Sequence, residues 1–293
     1  MIIDAHCHIW GKEIATEHAT KWLKLLCDSP TETLIRDMNE AKIDKTVLLS
    51  LDDDVWFKRV GQSDFLPYNK YNDYVAGIVE EHPDRFIGFA GLDPRRGRLA
   101  IEELERCVKD LGFRGVKLWP LHGFYPDDPR YYPFYERVQE LGVPILCHTG
   151  AGPTGTYLKY NRPAYVDTVA VDFPEIKIIM AHIGKPWIDE AIQVTRNNPN
   201  VYVDISAWEP VYTKAPIHLI RTLAKVKMRC GVEKILFGSD WPLFASRISL
   251  KEWVGAIKGM RTPQLLQQLG LPDFTEEEKR MILGGNAAKV LGL

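Results

Sequence analysis

The sequence has no apolar run long enough to cross a membrane and no strong excess of charge of either sign. A membrane-spanning helix needs about 18 or more consecutive apolar residues, and the 293 residues contain no such run. The formal net charge is −2, with acidic and basic residues interspersed, which argues against a nucleic-acid surface or a polybasic membrane patch. We therefore expect neither a membrane nor a nucleic acid among the partners.

The chain also lacks the marks of a secreted protein. It opens directly on a strand pattern, without the basic segment and apolar core of a secretory signal. Its cysteines are odd in number and have no paired spacing, which predicts reduced thiols and a cytoplasmic location. They are Cys7, Cys27, Cys107, Cys147 and Cys230.

Apolar strand patterns alternate with amphipathic helical patterns along the whole chain. Continuously apolar strands are typical of parallel sheets buried on both faces. Eight such units predict a (β/α)8 TIM barrel, as one domain over residues 1–293. A doubly wound open sheet is the alternative, but its G-x-G-x-x-G fingerprint after the first strand is missing. The predicted strands are 1–6, 45–51, 86–91, 114–119, 143–148, 176–181, 200–206 and 234–238.

Helix boundaries are marked by side chains that can cap them. Over residues 98–111, apolar residues recur at helical spacing and predict one buried face. Ser249 with Glu252, and Thr275 with Glu278, each have the spacing of a capping box and predict two helix starts.

Candidate metal ligands stand at the ends of predicted strands. His6 and His8 are two residues apart, so their side chains project together from the first strand while Cys7 points away. His148, His182 and Asp240 end later strands. The carboxyl ends of barrel strands meet at one face, which carries the active site in such barrels. Imidazole and carboxylate groups together suit a divalent metal ion.

Four motifs in this order resemble the amidohydrolase superfamily, and in particular its amidohydrolase-related branch. That branch includes aminocarboxymuconate-semialdehyde decarboxylases, resorcylate-type decarboxylases and pyrone-dicarboxylate lactonases. Other branches place a small β domain before the first strand, for which the histidine pair leaves no room. The motifs are Asp4-Ala-His6-Cys-His8, Cys147-His148-Thr149-Gly150, Ala181-His182-Ile-Gly184 and Phe237-Gly-Ser-Asp240-Trp-Pro242.

The resemblance implies a metal site and its ligands. His6, His8, His148 and Asp240 would bind one divalent ion, with zinc expected first and manganese or iron also compatible. His182 would be either a further ligand or a catalytic acid/base group. Lys117 would either contact substrate or, if carboxylated, bridge a second metal ion. Members of the branch also form dimers, so a homodimer is a further expectation.

Two reactions share this ligand set. The first expectation is hydrolysis of a small carboxylated ester, lactone or amide by metal-activated water, with Asp240 and His182 as catalytic groups. The alternative is metal-dependent, non-oxidative decarboxylation of an aromatic or enol-type acid. A barrel that only binds a ligand is a third interpretation, which the complete ligand set disfavours.

Substrate contacts are predicted from residues that follow strand ends. Arg95 or Arg96 after the third strand could clamp a carboxylate, but only one of two consecutive arginines can point inward. Three acidic residues after the second strand, Asp52 to Asp54, are expected to be solvated loop or helix-cap carboxylates rather than metal ligands. The predicted substrate contacts are Trp10, Arg95, Trp119, His122 and Trp208.

Overall fold

All eight predicted strands form. The structure, a computed structural model, describes residues 1–9, 30–52, 70–152 and 156–293. Trp10, Cys27, Asp53 and Asp54 lie outside these residues. The strands are β1 Ile3–Cys7, β2 Lys45–Leu49, β3 Phe86–Gly91, β4 Gly115–Leu118, β5 Ile145–Cys147, β6 Ile178–Met180, β7 Val201–Asp204 and β8 Ile235–Leu236.

The strands pair in chain order from β1 to β8, and every pairing is parallel. The backbone N–H of Ala5 donates to the carbonyl of Phe237 over 2.9 Å, and Cys7 forms a parallel bridge with Trp241. These contacts join the end of β8 to β1 and nearly close the sheet. The predicted TIM barrel is therefore confirmed, and the open sheet is excluded.

Helices lie between the strands and cover the barrel. A continuous outer core joins the outward-facing strand residues to the buried faces of the helices. The described helices are α1 Thr31–Ala41, α2 Lys70–Glu81, α3 Arg98–Lys109, α4 Tyr132–Glu140, α5 Ala164–Asp172, α6 Ile188–Asn197, α7 Glu209–Tyr212, α8 Pro216–Cys230, α9 Leu250–Lys258, α10 Gln264–Gln268, α11 Glu276–Arg280 and α12 Asn286–Leu291.

Two of the helix starts are the predicted capping boxes. Ser249 begins α9 and Thr275 begins α11, each with reciprocal bonds to the glutamate three residues later. Helix α3 follows the predicted pattern but ends at Lys109 rather than at residue 111. Gly112 adopts a φ of +69°, the left-handed conformation that commonly terminates helices.

A second, inner cluster fills the barrel. Along β2, Val47 and Leu49 belong to this inner cluster while Leu48 belongs to the outer core. The same alternation holds in β5, where Leu146 is internal and Cys147 external. In the inner cluster the strand residues pack with Ala287, Val290 and Leu291 of α12. Because successive side chains of a strand point to opposite faces, every second residue of these strands reaches the barrel interior.

Strand β1 breaks this alternation just before its histidines. Ile3 and Ala5 lie in the inner cluster, whereas Cys7 lies in the outer core. The register of β1 against β2 shifts between Asp4 and Cys7. This irregularity changes the phase of the strand, so that Cys7 faces outward and the histidines on either side of it face the barrel interior. Bulges of this kind re-aim side chains beside active sites.

No helix among the described residues is long and apolar enough to cross a membrane, as expected from the hydropathy of the sequence. The four cysteines among the described residues are free thiols, in agreement with the prediction of reduced cysteines. They are Cys7, Cys107, Cys147 and Cys230.

Asn286 at the start of α12 ties the last helix to the barrel. Its buried side-chain amide donates to the carbonyls of Val232 at 2.9 Å and Ile235 at 2.8 Å. We expect Asn286→Ala to lower the free energy of unfolding by about 1–3 kcal/mol, because two buried carbonyls lose their donor. Urea denaturation measures this loss. The control Gln264→Ala removes an exposed amide and should change stability by about 0.5 kcal/mol or less. Equal effects of the two substitutions would contradict the role of Asn286.

Candidate metal centre

Two imidazoles converge on one carboxylate at the carboxyl end of the barrel. The Nε2 atom of His6 lies 3.5 Å from Oδ1 of Asp240, and Nε2 of His8 lies 3.4 Å from the same oxygen. Donor atoms of the three residues all lie within 4.8 Å of one another. All three side chains are buried. The structure therefore brings together three of the four residues expected to bind the metal, with a spacing that one ion could bridge.

The backbone after β8 holds Asp240 against β1. The N–H of Asp240 donates to the carbonyl of His6 at 2.8 Å, and Asp240 adopts a left-handed φ of +52°. Gly238 permits this approach, because a Cβ there would lie 2.9 Å from the Cβ of His6. The carboxylate of Asp4 receives the N–H of Ser239 at 3.0 Å. The ends of the first and last strands are thus locked together at the site.

His148, the fourth expected ligand, lies beside His182. The Nδ1 atom of His148 is 3.3 Å from Nε2 of His182. The other ring nitrogen of His148, Nε2, is buried and has no hydrogen-bond partner among the described residues. A buried imidazole nitrogen without a partner is costly unless a ligand meets it. The structure thus places an available donor atom at the expected position.

The hydrogen bonds of the rings indicate which nitrogen each histidine offers. Nδ1 of His6 lies 2.8 Å from a carboxylate oxygen of Asp204, and Nδ1 of His8 lies 3.2 Å from the carbonyl of Leu49. Both partners only accept, so each Nδ1 carries the proton and each Nε2 keeps its lone pair. Such outer bonds commonly orient metal-binding histidines.

His182 has the same arrangement but uses both nitrogens within the protein. Its Nδ1 lies 3.1 Å from the carbonyl of Ser206, which can only accept. Its Nε2 is therefore the acceptor that faces Nδ1 of His148. This leaves His148 with a proton on Nδ1 and a lone pair on Nε2. In this arrangement His182 orients His148. Its own Nε2 lone pair is engaged by His148, so it does not offer a metal ion a fourth imidazole donor beside those of His6, His8 and His148.

Asp204 is a member of the site that the sequence reasoning missed. Besides holding His6, its carboxylate accepts the backbone N–H groups of His182 and Ser206, each at 3.0 Å, and the hydroxyl of Ser206. It is fully buried at the end of β7. The signal was available, because Asp204 lies two residues before the end of a predicted strand, 200–206, close to where the expected ligands lie on theirs.

Burial sets the protonation of these groups. It lowers the pKa of His6, His148 and His182 well below the usual value, and that of His8 to about 3. The imidazoles are therefore neutral at pH 7, the form that binds metal. Burial raises the pKa of Asp240 to about 7, and a bound cation would favour its ionised form. Three neutral imidazoles and one carboxylate fit a divalent ion.

These residues line a cavity of about 240 Å³. It is of the order of the ~150 Å³ cavity that holds a benzene molecule, so a small molecule fits. Trp119, an expected substrate contact, lines it and stacks on the ring of His8 with centroids 6.3 Å apart. The lining residues are His6, His8, Lys117, Trp119, His148, Ala151, Gly152, His182, Lys185, Ala207, Pro210, Asp240, Leu243 and Phe244.

Three other expected substrate contacts do not line this cavity. The Nε and Nη2 atoms of Arg95 donate to the carboxylate of Asp93, at 2.9 and 2.7 Å. The ring of His122 lies 3.7 Å from that carboxylate. The indole of Trp208 is buried and donates to the carbonyl of His182 at 2.9 Å, so it supports the site from behind. Protein groups therefore hold all three away from the cavity.

The expectation that Asp52 is solvated is wrong. Its side chain is buried, and its carboxylate receives the guanidinium of Arg96 with one contact of 2.6 Å. A buried arginine is seldom left without a carboxylate. Arg96 therefore points inward, as one of the two arginines was expected to do, but its charge is matched by Asp52 within the protein.

A sequence model of the family described as amidohydrolase matches residues 3–293. The chain belongs to the amidohydrolase family. It is an enzyme of that family, and the resemblance carried by the four motifs is confirmed.

Several relatives of this amidohydrolase are decarboxylases. Over 99% of its length it is 24% identical to 2-amino-3-carboxymuconate-6-semialdehyde decarboxylase of Dictyostelium discoideum, of which it covers 84%. It is 31% identical over 212 residues to gamma-resorcylate decarboxylase of Polaromonas sp.. That match covers 58% of this chain and 64% of the relative, slightly less than two thirds of its length.

A solved structure with the same fold holds a metal ion. Dihydroxybenzoic acid decarboxylase of Polaromonas sp., with bound manganese and the inhibitor 2-nitroresorcinol, superposes with a TM-score of 0.69 at 22% identity. The match covers 100% of this chain and 97% of that one. The comparisons thus favour the alternative, decarboxylation, over the hydrolysis expected first. They also give no support to zinc in particular.

We expect His6→Ala and Asp240→Ala each to lower bound metal by at least ~10-fold, because each removes a donor from a four-donor set. Elemental analysis of protein purified without chelator measures metal per chain, and circular dichroism checks the fold. His218→Ala, which removes an exposed histidine on α8, should keep the wild-type metal content. Unchanged metal in both site variants would contradict the ligand assignment.

Proposed function

We propose that this amidohydrolase is a metal-dependent, non-oxidative decarboxylase of a small aromatic or enol-type carboxylic acid. The observation that carries the proposal is the convergence of His6, His8, His148 and Asp240 on one small cavity, with His182 beside them. The decarboxylases among its relatives support this reaction over hydrolysis.

The proposed ligands are the four residues of the sequence prediction, and each has a donor atom to give. His6, His8 and His148 offer Nε2, and Asp240 offers a carboxylate oxygen. A divalent ion bound there would supply positive charge to orient and polarise an acidic substrate. Manganese is the first ion to test because the similar structure contains it. Zinc and iron have similar donor preferences.

The cavity suits a single-ring acid. Trp119 provides a flat aromatic wall, and Leu243 and Phe244 contribute apolar surface. A planar, conjugated substrate would stack on such a surface. Gly152 lies so close to Leu121 that a Cβ there would approach its methyl groups within 2.6 Å, so this side of the cavity is tightly packed.

Decarboxylation of a ring acid requires protonation of the carbon that carries the carboxylate. Carbon dioxide then leaves as that carbon–carbon bond breaks, and the bonding electrons restore the conjugated system. Asp240 and His182 are the cavity-lining groups expected to move the proton. Burial has opposite effects on their pKa values, upward for Asp240 and downward for His182. Such divergent pairs are typical of acid/base catalysis.

The reaction type can be tested with two panels of compounds. We expect the manganese-loaded protein to release carbon dioxide from at least one hydroxybenzoic or conjugated dienoic acid. In deuterium oxide the product should carry one deuterium at the carbon that lost the carboxylate, as read by NMR. A parallel panel of lactones, esters and amides should remain intact. Hydrolysis of that panel, with no decarboxylation of the acids, would reverse the proposal in favour of a hydrolase.

His182→Asn should separate catalysis from metal binding. We expect this variant to keep some of its metal and to lose ~100-fold or more in turnover, because an acid/base group is removed while the four ligands stay. The two measurements are kcat on the identified acid and metal per chain. His218→Asn is the matched control and should keep both. Full activity of His182→Asn would exclude the acid/base role.

A further inference from the structure

The cavity must bind an acid without the arginines that usually clamp carboxylates. The guanidinium groups of Arg95 and Arg96 are held by Asp93 and Asp52. Among the cavity-lining residues that the structure describes, the only ammonium or guanidinium groups belong to Lys117 and Lys185. Besides the proposed metal ion, the cationic side chains available to a substrate anion are therefore these two lysines.

Lys117 reaches the cavity from the middle of the barrel. It is the next-to-last residue of β4, and it is only 2% exposed. Its ammonium has no hydrogen-bond partner among the described residues, and none of their carboxylates lies within ion-pair distance. The nearest carboxylates, those of Asp204 and Asp240, are engaged by histidines. An unpaired buried ammonium is costly, so an anion in the cavity would be strongly favoured.

Lys185 reaches the same cavity from the loop after β6 and is partly exposed. Its ammonium donates to the carbonyl of Ala207 at 2.8 Å and lies 5.5 Å from the ring centroid of Trp208. These contacts fix its position and use only one of its three donors. The greater exposure of Lys185 places it nearer to solvent than Lys117.

The carboxyl of Glu209 lies near Lys185 but does not neutralise it. The Glu209 side chain is buried, and neither of its oxygens has a hydrogen-bond partner among the described residues. Burial raises its pKa well above the usual range and so disfavours its charged form, and it forms no ion pair with Lys185 among the described residues. Lys185 therefore keeps a charge that a substrate can use.

We propose that Lys117 and Lys185 form a two-point clamp for a dicarboxylic acid, with one carboxylate at each ammonium. The inference rests on the proposed function, because it takes the substrate to be an acid, and it narrows the substrate class to doubly charged acids. Lys117 binds the carboxylate deep in the barrel beside the metal ligands. Lys185 binds the second carboxylate nearer to the opening and sets the distance between the two charges that the site accepts.

Binding of unreactive acids tests the clamp without any turnover. The manganese-loaded protein is titrated by calorimetry with benzoate and with the 1,2-, 1,3- and 1,4-benzenedicarboxylates, which vary the distance between the charges. We expect at least one dicarboxylate to bind ~10-fold or more tightly than benzoate, the gain of one charged hydrogen bond. Because the titration follows no reaction, its outcome does not depend on whether the protein decarboxylates any acid. A failed decarboxylation assay would therefore leave the clamp untouched, and a failed titration would leave the proposed reaction untouched.

Three variants complete the test. Lys117→Met and Lys185→Met should each keep the wild-type metal content and lose the preference for the dicarboxylate. Lys251→Met removes an exposed charge on α9 and should keep that preference. The clamp is overturned if the wild type prefers no dicarboxylate, or if either cavity variant keeps the preference. Loss of metal in Lys117→Met would also overturn it, because the lysine would then be a carboxylated bridge.

Discussion

The buried carboxylate of Asp204 is the contact on which the geometry of the site depends. One oxygen holds Nδ1 of His6, and the other receives the backbone N–H of His182 together with the N–H and hydroxyl of Ser206. A single group on β7 thus orients residues from the first, sixth and seventh strands. Its negative charge is tolerated in the barrel because every oxygen has donors. Without it, His6 would have no fixed tautomer and the loop after β6 no fixed position.

The site is also built on backbone conformations that the fold must stabilise. His182 and Ile183 adopt φ values of +62° and +51°, and Asp240 one of +52°. Each such residue costs about 1–3 kcal/mol, and all three follow barrel strands. The contacts that compensate are those of the site itself, between Asp204 and His182 and between His6 and Asp240. The fold therefore gives up some stability at these three residues and in return holds the side chains of the site in fixed positions.

Periodicity made the barrel and most of the site predictable from the sequence, because strand period and strand ends are local properties. All eight strands and both capping boxes were found in this way. The pairing of Arg96 with Asp52 was not readable, because it joins two loops that lie 44 residues apart in the chain. The pairing of Arg95 with Asp93 is local, two residues apart, but the sequence did not show that Asp93 rather than a substrate would take this arginine. Strict alternation from the inward-facing Ile3 would have turned His6 and His8 outward. The register shift in β1 is what allows Ile3 and Ala5 to face the barrel interior together with the two histidines. Asp204 was readable but was passed over.

The same donors would serve hydrolysis or decarboxylation, so the choice between them must come from other groups. A buried ammonium favours a carboxylated substrate, which decarboxylation requires and which hydrolysis of an ester, lactone or amide permits but does not require. Lys117 sits unpaired beside the proposed ligands, with the carboxylates around it already engaged. Burial lowers the pKa of its ammonium to about 8, so the charged form still predominates at neutral pH, and an anion bound beside it would stabilise that form. Lys117 thus carries a positive charge that no contact among the described residues matches, and this favours an acid as the substrate.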